Sequence, residues 1–63
     1  MKNKLTKLEE KRREMQLSRR ELAGKVGITY EAVMYYEKGV REPRASILKR
    51  IAEVLGCTME EII

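Results

Sequence analysis

Residues 17–39 constrain this chain more than any other stretch, because they have the spacing of two short helices joined by a tight turn. Ser18 supplies an N-cap oxygen for the first of these helices, and Glu21, three residues later, completes the pattern of a capping box. Gly27 stands where a residue with positive φ would end that helix. The pattern predicts a helix that begins after Ser18 and ends before Gly27.

The second helix of the pair has equally local signals. Thr29 offers another N-cap oxygen, and Gly39 closes the segment. Val33 and Tyr36 recur at i, i+3 and are therefore expected to point into a core. Ala23, in the first helix, supplies a small side chain where two helices meeting at a steep angle would otherwise collide.

This stretch resembles the helix-turn-helix of the lambda-repressor-like family of bacterial and phage DNA-binding domains. The family carries Ala, Gly and a β-branched or similar apolar residue at the relative positions of Ala23, Gly27 and Val33. Its other apolar positions are matched by Leu22, Val26, Ile28 and Tyr36. The resemblance extends from about Leu5 onward and implies a compact, all-α, five-helix domain whose helices 2 and 3 form the helix-turn-helix.

The remaining helices are predicted at residues 5–15, 45–55 and 59–63, and residues 1–4 are expected to be frayed. Helix 1 would bury a narrow stripe made of Leu5, Leu8, Met15 and the aliphatic stem of Arg12. Helix 4 has a broader apolar stripe: Ile47, Leu48, Ile51, Ala52 and Leu55. No strand pattern interrupts these helices, so residues 1–63 are interpreted as one domain.

Composition restricts the function classes. The 63 residues carry 14 Lys and Arg against 10 Asp and Glu, a net charge of +4 that suits a polyanionic partner. With no His, no Gly-rich phosphate loop and a single Cys, the chain has no usual zinc-ligand set and lacks the parts of an enzyme site. We expect no cofactor, no metal and no small-molecule substrate. No apolar run is long enough for a membrane span, and we expect a cytoplasmic protein of bacterial or phage origin.

In the family, the N-terminal end of helix 3 enters the major groove of DNA. The resemblance therefore assigns base reading to one surface of helix 3, the reading face, made of Tyr30, Glu31, Met34 and Tyr35. Tyrosine can hydrogen-bond a base edge or a phosphate and pack on a thymine methyl, glutamate can accept from a cytosine amino group, and methionine can supply an apolar contact. The alternative interpretation is a solvated helix with incidental tyrosines.

Cations bracket the reading face in sequence. By resemblance this basic rim, together with one hydroxyl, would contact phosphates on either side of the groove: Ser18, Arg19, Arg20, Lys38, Arg41 and Arg44. Arg19 and Arg44 depart from the family, which often has Gln in place of Arg19 and a small hydroxyl residue in place of Arg44. Ordinary surface charge is the alternative for any single member.

A related phage repressor subgroup pairs an Arg in helix 1 with a Glu at the end of helix 3, and Arg12 and Glu37 stand at the matching positions. We expect a partly buried ion pair that joins helix 1 to helix 3; the alternative is two independently solvated side chains. Cys57 stands where the family usually has Val or a similar residue, which predicts a small hydrophobic role rather than a redox-active thiol.

The sequence therefore predicts a sequence-specific regulator of transcription that binds double-stranded DNA, acts as a repressor, and binds a palindromic operator as a homodimer. Its dimer interface would lie away from the groove and include Val40, Pro43, Cys57, Met59, Ile62 and Ile63. The alternative is a protein-interaction module, such as an antitoxin or accessory subunit, in which the helix-turn-helix is a scaffold.

Overall fold

The computed structural model describes residues 6–63, and within that range the chain is all-helical. It contains four α-helices, α1 (Thr6–Glu14), α2 (Arg19–Val26), α3 (Tyr30–Lys38) and α4 (Ala45–Leu55), followed by a 3-10 turn at Met59–Glu61. The predicted fifth helix is therefore wrong in type. One 3-10 turn stands where that helix was predicted. The predicted fraying of residues 1–4 concerns residues outside the described range, and so does the buried role predicted for Leu5.

The caps predicted for the helix-turn-helix are present. The amide of Glu21 donates to Ser18 Oγ at 3.0 Å, and the amide of Ser18 donates to Glu21 Oε1 at 2.8 Å. Thr29 caps α3 in the same way, since its Oγ1 accepts from the amide of Ala32 at 3.1 Å. Each cap satisfies backbone donors that have no partner inside the helix, and these local bonds fix where α2 and α3 begin.

The turn between α2 and α3 depends on Gly27, whose φ is 88°. A β-carbon on Gly27 would lie 2.9 Å from Arg50 Nη2, but this atom is the end of a flexible side chain that can shift, so the backbone angle is what favours glycine. Arg50, in α4, donates to the carbonyl of Val26 at the end of α2. A side chain of α4 therefore caps the C-terminal end of α2. This contact was not predicted from the sequence.

The core lies where α2 packs against α3 and α4, with α1 on α3 and the 3-10 turn on α4. Its largest fully buried side chains come from all four α-helices and from the residue that follows the 3-10 turn: Leu8, Leu22, Val26, Val33, Ile51 and Ile62. Burial of such a side chain contributes about 1.5–3 kcal/mol to folding. Because α1, α4 and the 3-10 turn all contribute to this core, they hold the helix-turn-helix in shape.

The end of α1 differs from the sequence prediction. Met15, predicted to extend the buried stripe, is 48% exposed. The helix ends at Glu14, and Gln16 takes a left-handed conformation with φ of 59° that turns the chain away from the helix axis. The amide of Leu17 then bonds back to the carbonyl of Arg12 at 3.1 Å. Met15 therefore lies outside the core.

Candidate nucleic-acid interface

The inward and outward faces of α3 are clearly separated. Val33 and Tyr36 are 0% and 9% exposed and fix which side of the helix meets the core. Positions one helical turn apart on the other side carry the reading face, of which Glu31 is exposed and Tyr30, Met34 and Tyr35 are half-buried. The structure therefore brings the four predicted base-reading residues together on one face of α3.

Two members of the basic rim lie directly over two members of the reading face. The guanidinium carbon of Arg20 lies 5.0 Å from the ring centroid of Tyr30, and that of Arg41 lies 5.5 Å from the ring centroid of Tyr35. Both distances are typical of cation–π contacts. The arginines partly cover the rings, so the tyrosines are less open than an uncovered helical face would leave them. Neither pairing was predicted from the sequence.

The predicted ion pair between α1 and α3 is present, and its arginine makes three hydrogen bonds. Arg12 Nε donates to Glu37 Oε2 at 2.7 Å, and Arg12 Nη2 donates to Glu37 Oε1 at 3.2 Å. A third bond runs from Arg12 Nη1 to the carbonyl of Leu17 at 2.8 Å. Arg12 and Glu37 are 7% and 4% exposed, so the pair is buried and bidentate.

Arg19, which the resemblance placed on a phosphate, also contacts this pair. Its Nε donates to Glu37 Oε1 at 2.9 Å, and its side chain is 26% exposed. The hydrogen bond to Glu37 is the largest cause that raises the pKa of Arg19. A hydrogen bond with the Tyr30 side chain is a further cause of the raised pKa, so the donors of Arg19 that face neither Glu37 nor Tyr30 are those it can offer to an external anion. Glu37 thus holds α1, α2 and α3 together through two arginines.

The other members of the predicted phosphate set lie at helix ends. Ser18 is the exposed N-cap of α2, where free backbone amides favour an anion. Lys38 is exposed in the last turn of α3, and Arg44 is exposed as the N-cap residue of α4, where its side chain makes no capping bond.

The predicted dimer-interface residues divide into two groups. Val40 and Ile63 are 64% and 57% exposed, and Pro43, Cys57 and Met59 are partly exposed. Ile62, in contrast, is 0% exposed and belongs to the core, so its assignment to an interface is wrong. The 3-10 turn directs Ile62 inward and leaves its neighbour Ile63 outside.

Cys57 packs against the core as a partly buried side chain. Burial is the largest cause that raises the pKa of its thiol, followed by the negative charge of Glu61. A raised pKa favours the protonated thiol over the reactive thiolate. The environment of Cys57 therefore fits the predicted small hydrophobic role.

Within residues 6–63, no three His, Cys, Asp or Glu side chains come together in a group that could hold a metal ion. In the same range, none of the helices has the length and apolar character needed to cross a membrane.

Comparison with known families and proteins shows that the chain is similar to helix-turn-helix regulators. The sequence profile of the family described as helix-turn-helix matches residues 8–62. An uncharacterized HTH-type transcriptional regulator of Methanothermobacter thermautotrophicus is 39% identical over 51 residues, covering 81% of this chain and 74% of the relative. Another protein of the same description, from Archaeoglobus fulgidus, is 32% identical over 57 residues, covering 90% and 80%. Both relatives are archaeal, and the expected bacterial or phage source stays a prediction.

Two solved structures share the fold. The clp gene regulator ClgR of Corynebacterium glutamicum superposes with a TM-score of 0.85 at 21% identity, over 90% of this chain and 61% of that one. The structure of apo-HppE gives a TM-score of 0.80 at 32% identity, over 89% of this chain and 32% of that one. This chain therefore spans less than two thirds of each solved chain.

Proposed function

The chain belongs to the lambda-repressor-like helix-turn-helix family of transcriptional regulators, and from this premise we propose that it is a repressor that binds a palindromic operator as a homodimer. The observation that carries the proposal is the reading face of α3 with Arg20 and Arg41 lying beside it. An α-helix fits the major groove of B-form DNA, which is about 12 Å wide. A helix face with cations on both sides can place base-reading groups in the groove while the cations bind phosphates.

The chemistry of the reading face suits base edges. Glu31 is an acceptor for the amino group of cytosine, and Met34 can pack on the methyl group of thymine. The interface needs no catalytic group, no cofactor and no small-molecule substrate, and we place it in the cytoplasm with its DNA.

Dimerisation follows from energetics. A single small module makes too few contacts for tight, specific binding, whereas two copies on a palindrome double them. In this arrangement one α3 would occupy each half-site, with the half-sites about one helical turn of DNA apart. Repression would then result from blocking polymerase access to the occupied site.

The first experiment is selection of bound sequences from a random duplex pool, which reports the binding site, the half-site spacing and the symmetry together. The selected duplex and a random duplex are then titrated between about 50 and 200 mM salt. The proposal predicts a clear fall in affinity for both duplexes as salt rises, because bound phosphates release counterions. Affinity for random duplex that did not change with salt would contradict it.

Two variants separate phosphate binding from base reading. Lys38→Ala should weaken binding to both duplexes and reduce the salt slope by about 1, whereas Met34→Ala should mainly reduce the preference for the selected duplex. Arg13→Ala is the charge-matched control, since Arg13 lies on α1 and pairs with Glu9 at 2.7 Å. Equal effects of Lys38→Ala and Met34→Ala on both duplexes would contradict this division.

Exposure of Val40 and Ile63 favours the second candidate, a protein-interaction module that docks a partner on these apolar side chains. The same titration distinguishes the two, since an interaction module would show no salt-dependent affinity for duplex DNA.

A further inference from the structure

The two arginine–tyrosine contacts have similar separations and similar exposure. Arg20, in the first turn of α2, lies over the ring of Tyr30 at the start of α3. Arg41, which follows α3 in the chain, lies over the ring of Tyr35. In both pairs the arginine is exposed and the tyrosine is half-buried. One stack thus comes from the segment before α3 and the other from the segment after it.

We propose that Tyr30 and Tyr35 are positioning residues for the phosphate-binding arginines Arg20 and Arg41, so that each arginine–tyrosine stack binds the DNA backbone as one unit. This inference rests on the proposed DNA-binding function and deepens it. It also changes the role inferred from the sequence, in which the tyrosines themselves contact bases or phosphates. The ring face becomes the functional part of each tyrosine.

The physical basis is the planarity of the guanidinium group. A guanidinium carries five N–H donors, and those that do not face the ring remain available for a phosphate. A free arginine on the surface loses rotamer freedom when it binds a phosphate, and this loss weakens binding. An arginine already held over a ring has lost part of that freedom in the unbound protein. Each stack should therefore strengthen DNA binding about two- to tenfold.

The backbone around Arg41 supports the same interpretation. The amides of Val40 and Arg41 both donate to the carbonyl of Tyr35, at 2.9 and 3.4 Å. The segment that carries Arg41 is therefore anchored to the same residue whose ring its side chain covers. Backbone and side chain together fix where this cation lies relative to α3.

A double-mutant cycle at Arg20 and Tyr30 tests the proposal. Affinity for the random duplex is measured for Arg20→Ala, Tyr30→Leu and the double variant, each checked by thermal melting to be folded at the measuring temperature. We expect each single change to weaken binding about two- to tenfold, and the double variant to be little weaker than Arg20→Ala. Tyr30→Phe keeps the ring and should keep the coupling to Arg20. A second cycle, at Arg41 and Tyr35, is expected to behave in the same way.

The control cycle pairs Tyr30→Leu with Lys38→Ala, because Lys38 is an exposed rim cation that is in neither stack. This cycle should be additive. An independent measurement is the NMR shift of the Arg20 side-chain protons in the protein without DNA. We expect them to move toward random-coil values in Tyr30→Leu and to stay shifted in Tyr30→Phe.

The outcomes separate this inference from the function on which it rests. Duplex binding by the wild-type chain with additive Arg20–Tyr30 and Arg41–Tyr35 cycles would overturn the stacks alone. The same result follows if Tyr30→Phe weakens only the selected duplex and does so as strongly as Tyr30→Leu, because that outcome assigns base reading to the hydroxyl. Absence of any salt-dependent duplex binding would overturn the proposed function and the stacks with it.

Discussion

At the scale of single residues, Glu37 has the largest number of partners in the ion-pair network. Its carboxylate accepts from Arg12 at 2.7 Å and from Arg19 at 2.9 Å while the residue is 4% exposed. Glu37→Gln would leave the charge of Arg12 buried and uncompensated. Such losses cost about 3–5 kcal/mol, and since glutamine keeps one acceptor oxygen we expect the lower end of that range. Urea unfolding of both proteins measures the difference.

The matched control is Glu9→Gln, which breaks the surface pair with Arg13. The side chain of Arg13 is 71% exposed, so this change should cost no more than about 1 kcal/mol. Equal unfolding midpoints for wild type and Glu37→Gln would show that the network contributes nothing to stability.

Gln16 is the only non-glycine residue with positive φ in the described range, at 59°. A side chain with a β-carbon is strained in this region, by roughly 1–2 kcal/mol for most residues. Gln16→Gly should therefore raise the free energy of unfolding by about 1 kcal/mol, since added freedom in the unfolded chain offsets part of the relief. The urea midpoint should rise.

The comparison variant is Met15→Gly at the exposed neighbour, whose φ is not positive. Here glycine only adds freedom to the unfolded chain, so stability should fall. A fall in both variants would mean that Gln16 is not strained.

At the scale of elements, the sequence predicted well where the signal is local. The bounds of α2 follow from Ser18, Glu21 and Gly27, which lie within a few residues of the bonds they make. The end of α1 was predicted less well, because no glycine marks it and the left-handed Gln16 has no sequence signature. Thr58 and Glu61 form a capping pair, in which the amide of Thr58 donates to Glu61 Oε2 at 3.0 Å, but a cap fixes where a helix begins and not whether it continues as an α-helix.

The capping box of α2 makes the stability of the protein depend on pH. The pKa of Glu21 lies below its ordinary value of 4.5, and the first cause is the hydrogen bond from the backbone amide of Ser18. A carboxylate with a lowered folded pKa stabilises the fold above its unfolded pKa, and this contribution is lost as pH falls through the folded pKa. Stability should therefore fall as pH decreases below 4.5.

Glu21→Gln should reduce this acid-dependent loss, measured as urea midpoints at neutral pH and at about pH 3. Glu53→Gln, which removes an exposed carboxylate in α4, is the control. If Glu21→Gln and wild type lost the same stability on acidification, the cap would not be the source of the pH dependence.

Gly24 lies in the interior of α2, where glycine lowers helix stability relative to alanine and would be needed only if another surface approached closely. A β-carbon at Gly24 would meet no atom within 4 Å in the described structure. Gly24→Ala should therefore stabilise the protein by about 1 kcal/mol through helix propensity. Gly27→Ala is the opposite case, because a β-carbon is strained at a φ of 88°, and it should destabilise the protein. Thermal melting of both variants compares them, and a lower melting temperature for Gly24→Ala would contradict the prediction.

At the scale of the whole molecule, the interactions that sequence reasoning missed connect residues far apart in the chain. The contacts of Arg19 with Glu37 and of Arg20 with Tyr30 join different helices, so no helical spacing reveals them. The Arg12–Glu37 pair was predicted only because a resembling subgroup has it. Which residues of α3 share the outward face could be predicted, because period 3.6 and the inward Val33 and Tyr36 determine it. That this reading face contacts bases stays a prediction. Its covering arginines depend on the assembled fold.

Two adjacent isoleucines are expected to act differently, Ile62 in folding and Ile63 in the proposed dimer assembly. Ile62 is 0% exposed and completes the core, so Ile62→Ala should cost about 2–5 kcal/mol, a large share of the roughly 5–15 kcal/mol that stabilises a domain. Ile63 is 57% exposed, and Ile63→Ala should change stability by less than about 0.5 kcal/mol. Thermal melting of the two variants tests this difference.

DNA binding by Ile63→Ala tests whether Ile63 takes part in the proposed dimer. If Ile63 lies in the proposed dimer interface, Ile63→Ala should lower affinity for a palindromic duplex with two half-sites and leave affinity for a single half-site unchanged, because only the first requires contact between copies. The measurement is a titration of both duplexes with wild type and variant under the same salt. Equal affinities of wild type and variant for the palindrome would remove Ile63 from the interface. A parallel loss on both duplexes would instead assign Ile63 to DNA contact, because a single half-site binds one copy.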